Sequence, residues 1–486
     1  MSLLNEDMWQ SKIFSDGWIK AEGGDAAVVE PATGAEIGRI GIADAEDVAA
    51  AASAAATAQR TWAALPYTER AAVLRRAGQL WEQHAAEVGD WLVREAGSIA
   101  PKAGFEVATA AQECYEAAAQ ASQPYGEVVR TARPRLSLTR RLPVGVVGVI
   151  SPFNFPLILA IRSVAPALAL GNAVILKPDP RTAVGGGVAI ARIFEEAGLP
   201  DGLLHVLPGG VPAGEALVAD PRVRVISFTG STVAGRRVGE LAAHHLKRVH
   251  LELGGNSAVI VLEGADLERA ASAGAFGSFN HQGQICMTTG RHLVHESLVD
   301  QYVNLLAEKA GHLPVGDPAR EQVALGPVID ERQRDKIHQV VTSSVAAGAR
   351  LAAGGTYEGL FYRPTVLADV TPSVPAFQQE IFGPVAPVAS FSTIDEAVSL
   401  ARSTEYGLSL GILGDDFDAA LALADRIPSG LVHINDQTVD DEATAPFGGA
   451  AASGNGARFG GASANIEAFT ETQWLTLQGS ITPYPF

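Results

Sequence analysis

The residues with chemistry to offer are few. Cys286 lies in Asn280-His281-Gln282-Gly283-Gln284-Ile285-Cys286-Met287-Thr288-Thr289-Gly290, a polar loop after a small-residue helix, Ala270–Phe279. Free cysteines mostly fill cores. One flanked by Gly283 and Gly290 in a polar loop is better placed to be a nucleophile, because loops on a rigid frame carry chemistry. The other cysteine, Cys114, falls in a stretch of helical composition, Ala110–Ala117, and is expected to be an inert, partly buried thiol. Glu252 is the second candidate. Val249, Leu251 and Leu253 alternate with His250 and Glu252, and Gly254-Gly255 follow. A carboxylate ending a buried strand before a flexible turn can be a general base of raised pKa; an exposed residue of an edge strand would show the same pattern. The third is Asn154, in Ile150-Ser151-Pro152-Phe153-Asn154-Phe155-Pro156. An amide in so apolar a run needs hydrogen-bond partners or a task, and its NH₂ can stabilise an oxyanion.

Two segments can hold a phosphorylated ligand. Phe228-Thr229-Gly230-Ser231-Thr232-Val233-Ala234-Gly235 follows an apolar strand, Val223–Phe228, and precedes a helix. A glycine at the strand end allows a tight turn, and the helix N-terminus offers free N–H groups to a phosphate. No G-x-G-x-x-G fingerprint follows a strand, so an ordinary strand-to-helix turn fits as well. Lys177, one of only seven lysines, ends a strand in Leu176-Lys177-Pro178-Asp179-Pro180. It can hold ribose hydroxyls or a phosphate, or simply reach solvent.

These residues need a frame. Apolar runs Val144–Ile150, Ala173–Leu176, Leu203–Val206 and Val223–Phe228 predict buried strands, separated by helices at Ala183–Ala197, Gly214–Val218 and Ala234–Ala243. The alternation implies a doubly wound parallel sheet with ligands at its carboxyl ends. A second alternating region runs from Ser257 to about Val432. Residues 44–122 read as Ala-rich helices, with Ala71, Val73, Leu74, Ala77, Leu80 and Trp81 at spacings of three and four. Val128, Val129, Leu136, Leu138 and Leu142 among five arginines predict an extended hairpin over 126–141, and Thr470–Leu477 a late strand. Such a hairpin usually pairs with something, often another subunit.

Composition narrows the classes. The 486 residues imply two or three domains. With 36 basic and 54 acidic residues the net charge is −18, which argues against a general nucleic-acid binder. Two cysteines exclude a disulfide scaffold and fit a reducing cytosol. The start, Met-Ser-Leu-Leu-Asn-Glu-Asp, lacks the features of a signal peptide, so a cytoplasmic location is expected. The apolar stretch Leu142–Leu176 exceeds the length of a membrane span but is broken by Pro143, Pro152, Pro156, Arg162 and Pro166, so it is read as buried strands and a helix. No metal site is expected.

Seven segments together resemble the aldehyde dehydrogenase superfamily, in its order and spacing over essentially the whole chain. They are Pro152-Phe153-Asn154-Phe155-Pro156, Lys177-Pro178, Phe228-Thr229-Gly230-Ser231-Thr232…Gly235, Glu252-Leu253-Gly254-Gly255-Asn256, Gly283-Gln284-Ile285-Cys286, Glu380-Ile381-Phe382-Gly383-Pro384 and Pro446-Phe447-Gly448-Gly449. The resemblance implies nicotinamide-dependent oxidation of an aldehyde to an acid. Cys286 would be the nucleophile, Asn154 and the Cys286 N–H the oxyanion hole, and Glu252 the base that activates water for deacylation. Gly230, Ser231 and Gly235 would border the pyrophosphate or adenosine. Lys177 and Glu380 would hold ribose hydroxyls, and Phe382 would pack by the nicotinamide ribose, with Ile150 and Phe153 alongside.

Three positions depart from the family pattern. The Trp usual before the catalytic Asn is Phe153. The Glu that often selects NAD, three residues after the lysine, is Pro180, with Asp179 just before it; NAD is expected and NADP stays open. No carboxylate follows Ser453-Gly454-Asn455-Gly456-Ala457-Arg458-Phe459-Gly460, which leaves Glu252 as sole base. Within the superfamily the chain is most similar to the benzaldehyde dehydrogenases of aromatic catabolism, on His281-Gln282-Gly283-Gln284, His433-Ile434-Asn435-Asp436-Gln437, Arg458-Phe459-Gly460-Gly461 and Tyr484-Pro485-Phe486. Phe155, Ile158, Leu159, Ile285, Met287 and Phe447 would form an apolar slot for a flat ring. The same slot would suit vanillin, a hydroxybenzaldehyde or a medium-chain aliphatic aldehyde.

Other readings compete. Gly407-Leu408-Ser409-Leu410-Gly411 matches the hydrolase elbow G-x-S-x-G, with His433 following, but the elbow needs a helix directly after Ser409, and the sequence there stays strand-like. His250-Leu251-Glu252 imitates a zinc deaminase motif without its cysteine pair, and His244-His245 reads as a solvated helix end. A CoA-acylating variant would not need Glu252. The resemblance thus predicts an α/β, aldehyde dehydrogenase-like fold in three parts. A Rossmann-type cofactor domain takes 1–123 and 143–251. A catalytic domain takes 252–435, with 436–469 returning to the first. A β arm at 124–142 and 470–486 implies a homodimer or homotetramer.

Overall fold

The computed structural model describes residues 2–486. Two seven-stranded sheets carry the chain. The first runs, in spatial order, Arg248–Glu252, Val223–Thr229, Val146–Ile150, Ala173–Lys177, Leu204–Val206, Lys12–Ser15 and Trp18–Lys20. Its first five strands are parallel. All five residues of Val146–Ile150 are buried, because a parallel strand inside a sheet is covered by helices on both faces. The chain starts at Val146–Ile150, builds outward on one side, then returns to build on the other. The switch point therefore falls between Val146–Ile150 and Val223–Thr229, and the Asn154 loop and the Gly230 turn leave from those two strand ends.

The expected strands of this region lie where the apolar runs placed them, but the helices shift: the one expected at Gly214–Val218 spans Val211–Ala219, and the one expected from Ala183 opens with a wider turn, Val184–Val188, before Ala189–Glu196. The helix after the Gly230 turn starts at Thr232 rather than Ala234, because the Ser231 hydroxyl caps it by accepting from Ala234 N–H at 3.3 Å. Two strands were not foreseen. Lys12–Ser15 and Trp18–Lys20 add antiparallel to the free edge of Leu204–Val206.

The second sheet runs Arg350–Ala353, Thr365–Ala368, Val385–Phe391, Thr289–His295, Ser257–Val261, Ser409–Leu413 and Leu431–Ile434. All pairs but the first are parallel. Only Leu253–Asn256 separates the last strand of the first sheet from the first strand of the second.

Four helices, Ala45–Ala64, Tyr67–Gln83, Ala85–Ala96 and Ala100–Gln120, fill the Ala-rich N-terminal region. The first opens on a capping box, with Asp44 and Asp47 each accepting from the other's end of the turn. Leu136–Pro143 pairs antiparallel with Thr470–Leu477 over eight residues. Val128 bridges Leu138 beside it, so the Arg-studded segment does fold back as a hairpin. The apolar stretch Leu142–Leu176 is strand, loop, helix and strand, and no helix among the described residues is long and apolar enough to cross a membrane.

Candidate active site

Cys286 sits in the short connection between the helix Leu267–Phe279 and the strand Thr289–His295. Before it the backbone is forced. His281, Gln282 and Gly283 have φ of 47°, 56° and 65°, a left-handed run that costs energy for the first two. The surroundings hold it there. Gln282 Nε2 donates to the carbonyls of Gly97 (2.8 Å) and Pro327 (2.9 Å), and a Cβ at Gly283 would fall 2.1 Å from the Gly383 carbonyl oxygen. Gln284 accepts from Ile329 N–H at 3.0 Å. The Cys286 N–H donates to no main-chain carbonyl among the described residues. Burial, and the negative fields of Glu380 and Glu252, push the Cys286 thiol up to about 12, so the resting sulfur is protonated. Cys114 is fully buried in the helical core and its thiol is pushed higher still by burial, which makes it inert.

Asn154 lies beside this loop. Its Nδ2 donates to the Gln284 carbonyl at 2.8 Å, two residues before the cysteine, and its own carbonyl accepts from Lys102 Nζ at 2.7 Å. One amide N–H is thereby used and the second is left for a ligand.

Glu252 is at the carboxyl end of an edge strand, yet it is buried. The C-terminal segment covers the edge. Gly454 bridges Glu252, Leu253 N–H donates to Ser453 O at 2.9 Å, and Leu251 N–H to Asn455 Oδ1 at 3.2 Å. That covering decides between the two readings of the alternating pattern. Neither Glu252 oxygen makes a hydrogen bond of good geometry, though the Gly449 N–H approaches closely enough to favour the anion. Burial holds the carboxyl well above the ordinary range, opposed by the nearby Arg162 and Arg458 cations. The two glycines that follow are steric necessities. A Cβ at Gly254 would fall 2.4 Å from Glu380 Oε2, and one at Gly255 would fall 2.2 Å from the Cys286 carbonyl oxygen.

A cavity of about 420 Å³ joins the thiol and the amide, while Glu252 lies outside its lining and reaches the sulfur through its field. Asn154 and Cys286 line it, together with all six residues expected to form the apolar slot: Phe155, Ile158, Leu159, Ile285, Met287 and Phe447. Sequence reasoning missed the opposite wall. Ile99, Pro101, Lys102 and Phe105 come from the start of the helix Ala100–Gln120, and Phe276, Asn280, Gln437, Val439, Asp440 and Asp441 complete the lining. Behind the wall, Arg162 pairs with Asp441 and stacks on Phe447, its Cζ 4.5 Å from the ring centroid.

The expected cofactor residues gather around the switch point. Ile150 registers against Lys177 on one side and Phe228 on the other. Lys177 bonds the Gly209 carbonyl rather than reaching solvent. Gly230 donates to the Glu252 carbonyl at 3.0 Å, and a Cβ at Gly235 would collide with Leu253 at 2.1 Å. Glu380 accepts from Gly255 N–H at 2.9 Å. Phe382, at φ 57°, turns its ring edge-on to Phe153 with centroids 6.0 Å apart. An ammonium, a carboxylate and the free N–H groups of a 13-residue helix at a switch point fit the hydroxyls and phosphates of a dinucleotide.

The competing sites do not assemble. Ser409 begins a buried strand, donates to the Thr438 carbonyl at 2.7 Å, and no helix starts until Phe417, so there is no nucleophile elbow. His250 packs its ring edge against Phe459 and Phe469 in the core. Among the described residues no three His, Cys, Asp or Glu side chains cluster as metal ligands.

The comparisons agree with this geometry. Residues 18–475 match the model of the aldehyde dehydrogenase family. A vanillin dehydrogenase from an Amycolatopsis species is 69% identical over 486 residues, covering 100% of both chains. The benzaldehyde dehydrogenase [NAD(+)] of Pseudomonas putida is 52% identical over 482 residues, 99% of each chain. The crystal structure of a salicylaldehyde dehydrogenase from Pseudomonas putida G7, complexed with salicylaldehyde, superposes with a TM-score of 0.94 at 35% identity, over 98% of this chain and 99% of that one. With a thiol and an amide brought to one cavity, a buried carboxyl whose field reaches that thiol, and a crevice that fits a dinucleotide, and with these relatives along its whole length, the chain belongs to the aldehyde dehydrogenase family.

Proposed function

We propose that this enzyme oxidises an aromatic aldehyde, benzaldehyde or a ring-hydroxylated relative such as vanillin, to its carboxylate with NAD. The observation that carries the reading is the cavity itself. Its 420 Å³ suits a small flat ligand, and four phenylalanines, Phe105, Phe155, Phe276 and Phe447, surround the approach to Cys286 and Asn154. The names of the relatives support the aromatic ring and NAD.

The residues divide the work. Attack requires the Cys286 proton to leave to solvent, a loss that the negative fields of Glu380 and Glu252 oppose. Sulfur bonds to the carbonyl carbon, and the oxyanion is held by the free Asn154 amide N–H and the Cys286 N–H. NAD, held by the residues named below, would supply the hydride acceptor, and loss of hydride from this carbon would leave a thioester on Cys286. Glu252 then removes a proton from water, water adds to the thioester, and the carbon–sulfur bond breaks. Lys177 and Glu380 bind ribose hydroxyls, the helix after Gly230 and Ser231 takes phosphate, and Phe153 and Phe382 pack near the nicotinamide end. Asp179 is paired with Arg181 through three hydrogen bonds, so the preference for NAD rests on the names of the relatives.

Asn280 favours the ring-hydroxylated substrates, because its amide lines the cavity and can meet a hydroxyl that an alkyl chain lacks, whereas the Gln437 amide is bonded at both ends to Val439. The deciding test is a panel of benzaldehyde, hydroxylated benzaldehydes, vanillin and hexanal with NAD and NADP, followed by the absorbance of reduced cofactor. The aromatic substrates should show the higher kcat/KM; hexanal exceeding all of them would overturn the reading.

We further propose residence in the reducing cytoplasm, which two free thiols favour, and a homodimer or homotetramer. The arm supports assembly: Val128, Trp474 and Leu477 stand exposed along it, and Ile481, Tyr484 and Phe486 beyond it. Light scattering after gel filtration reads the mass.

A further inference from the structure

Lys102 and Glu106 are a buried ion pair one turn apart on the helix Ala100–Gln120, and no step of the reaction above uses them. Both side chains are nearly inaccessible. A buried pair of this kind adds little net stability, since apolar residues of similar volume often serve as well or better. What it touches is informative. Lys102 Nζ directs its three donors at Glu106, at Ser98 Oγ (3.0 Å) and at the carbonyl of Asn154 (2.7 Å). It also lies 4.2 Å from the centroid of the Phe155 ring. The other Glu106 oxygen, Oε2, accepts from the N–H groups of Leu157 (3.1 Å) and Ile158 (3.4 Å), where the helix Ile158–Ala169 starts without a side-chain cap of its own.

One helical turn therefore grips the segment Asn154–Ile158 at both ends. The cation takes its carbonyl end, the anion takes its N–H end, and the ring between lies against the cation. Asn154 is fixed on its other side by the Gln284 carbonyl, two residues from Cys286. The separation between the amide and the sulfur is thus set by a chain of bonds that starts at Lys102.

We propose that Lys102 and Glu106 are positioning residues for the oxyanion hole, acting through the backbone of Asn154 and having their effect in the step where negative charge develops on the substrate oxygen. The inference rests on the role given above to Asn154. Preorganised donors lose much of their effect when displaced by about an ångström.

A double-mutant comparison tests it. Lys102→Met with Glu106→Leu removes the pair while keeping volume and burial. Measured with benzaldehyde and NAD, it should lower kcat by about 10- to 100-fold, with KM and NAD affinity changed less than about threefold and the melting temperature held within a few degrees. Placed in an Asn154→Ala enzyme, the same exchange should cost less than about threefold, because the group it positions is gone. An equal loss in both backgrounds, or none in the parent, overturns the proposal. If Asn154→Ala alone is nearly neutral, the role of Asn154 fails and takes this inference with it; additive losses sink this inference alone. Should the double exchange not fold, Glu106→Gln, which keeps the shape and weakens both the N–H end of the grip and the bond to Lys102, is compared across the same two backgrounds. Failure of that variant to fold as well would make the pair a determinant of the fold rather than of the site, and would also overturn the proposal.

Discussion

The two flanks of Cys286 are built on opposite rules. On the amide flank the groups that hold Asn154 are spoken for: Asn154 by Gln284 and Lys102, and Lys102 by three acceptors, although both ring nitrogens of His281, Oε1 of Gln282 and Nε2 of Gln284 in the cysteine loop have no partner. On the carboxyl flank the polar groups are left open. Both oxygens of Glu252 lack a hydrogen bond of good geometry, and Nε and Nη1 of Arg162 behind it lack partners. Buried polar groups without partners are costly and rare, so two together mark a place kept for something else. The difference teaches where rigidity serves the reaction. A hole for an oxyanion works by being in place beforehand, whereas a base must accept a proton and make room for a water.

Substitutions can break this comparison, and they rank by size. Cys286→Ala should abolish dehydrogenation, with the protein still folding and binding NAD by fluorescence titration, because both flanks then face an inert side chain. Glu252→Gln should slow steady-state turnover by about 10²–10⁴-fold. Rapid mixing should still show a burst of reduced cofactor if the carboxyl acts mainly on water; equal loss of burst and steady rate would move its role to the attack step. The same residue sets a pH dependence. Its carboxyl is held above the ordinary range, so the base form grows only as pH rises through that raised value. Acyl-enzyme hydrolysis should climb with pH beyond the region near 4.3 where a free glutamate titrates, and the Gln variant should show a flat limb. Asn154→Ala should cost roughly 10²–10³ in kcat, read as slower hydride transfer with a deuterated aldehyde. Ser409→Ala should change turnover less than about twofold and lower stability by about 1 kcal/mol through its lost bond to Thr438, measured by urea unfolding.

The legible parts were those that local pattern fixes. Strands such as Val146–Ile150 are apolar throughout because both faces are covered, and that shows in the sequence without any partner in view. The slot residues were legible for a related reason: Phe155, Ile158 and Leu159 flank Asn154, and Ile285 and Met287 flank Cys286, so proximity in sequence placed them. The facing wall was not. Lys102 and Phe105 sit in an Ala-rich helical stretch whose faces look alike until the helix is docked, and the bond from Lys102 to Asn154 spans 52 residues of chain. The strands Lys12–Ser15 and Trp18–Lys20 were missed because each is four residues or fewer and takes its place from the edge of Leu204–Val206. The burial of Glu252 also lay beyond local pattern, since an edge strand becomes interior only when Ser453 and Gly454 arrive.

That late arrival orders events during synthesis. A ribosome has made Cys286, Asn154 and Glu252 long before it makes the cover over the Glu252 edge, so a nascent or prematurely terminated chain carries every reacting group and yet lacks the sealed chamber. Nonsense changes that stop the chain before Ser453 should therefore silence the enzyme as fully as early ones.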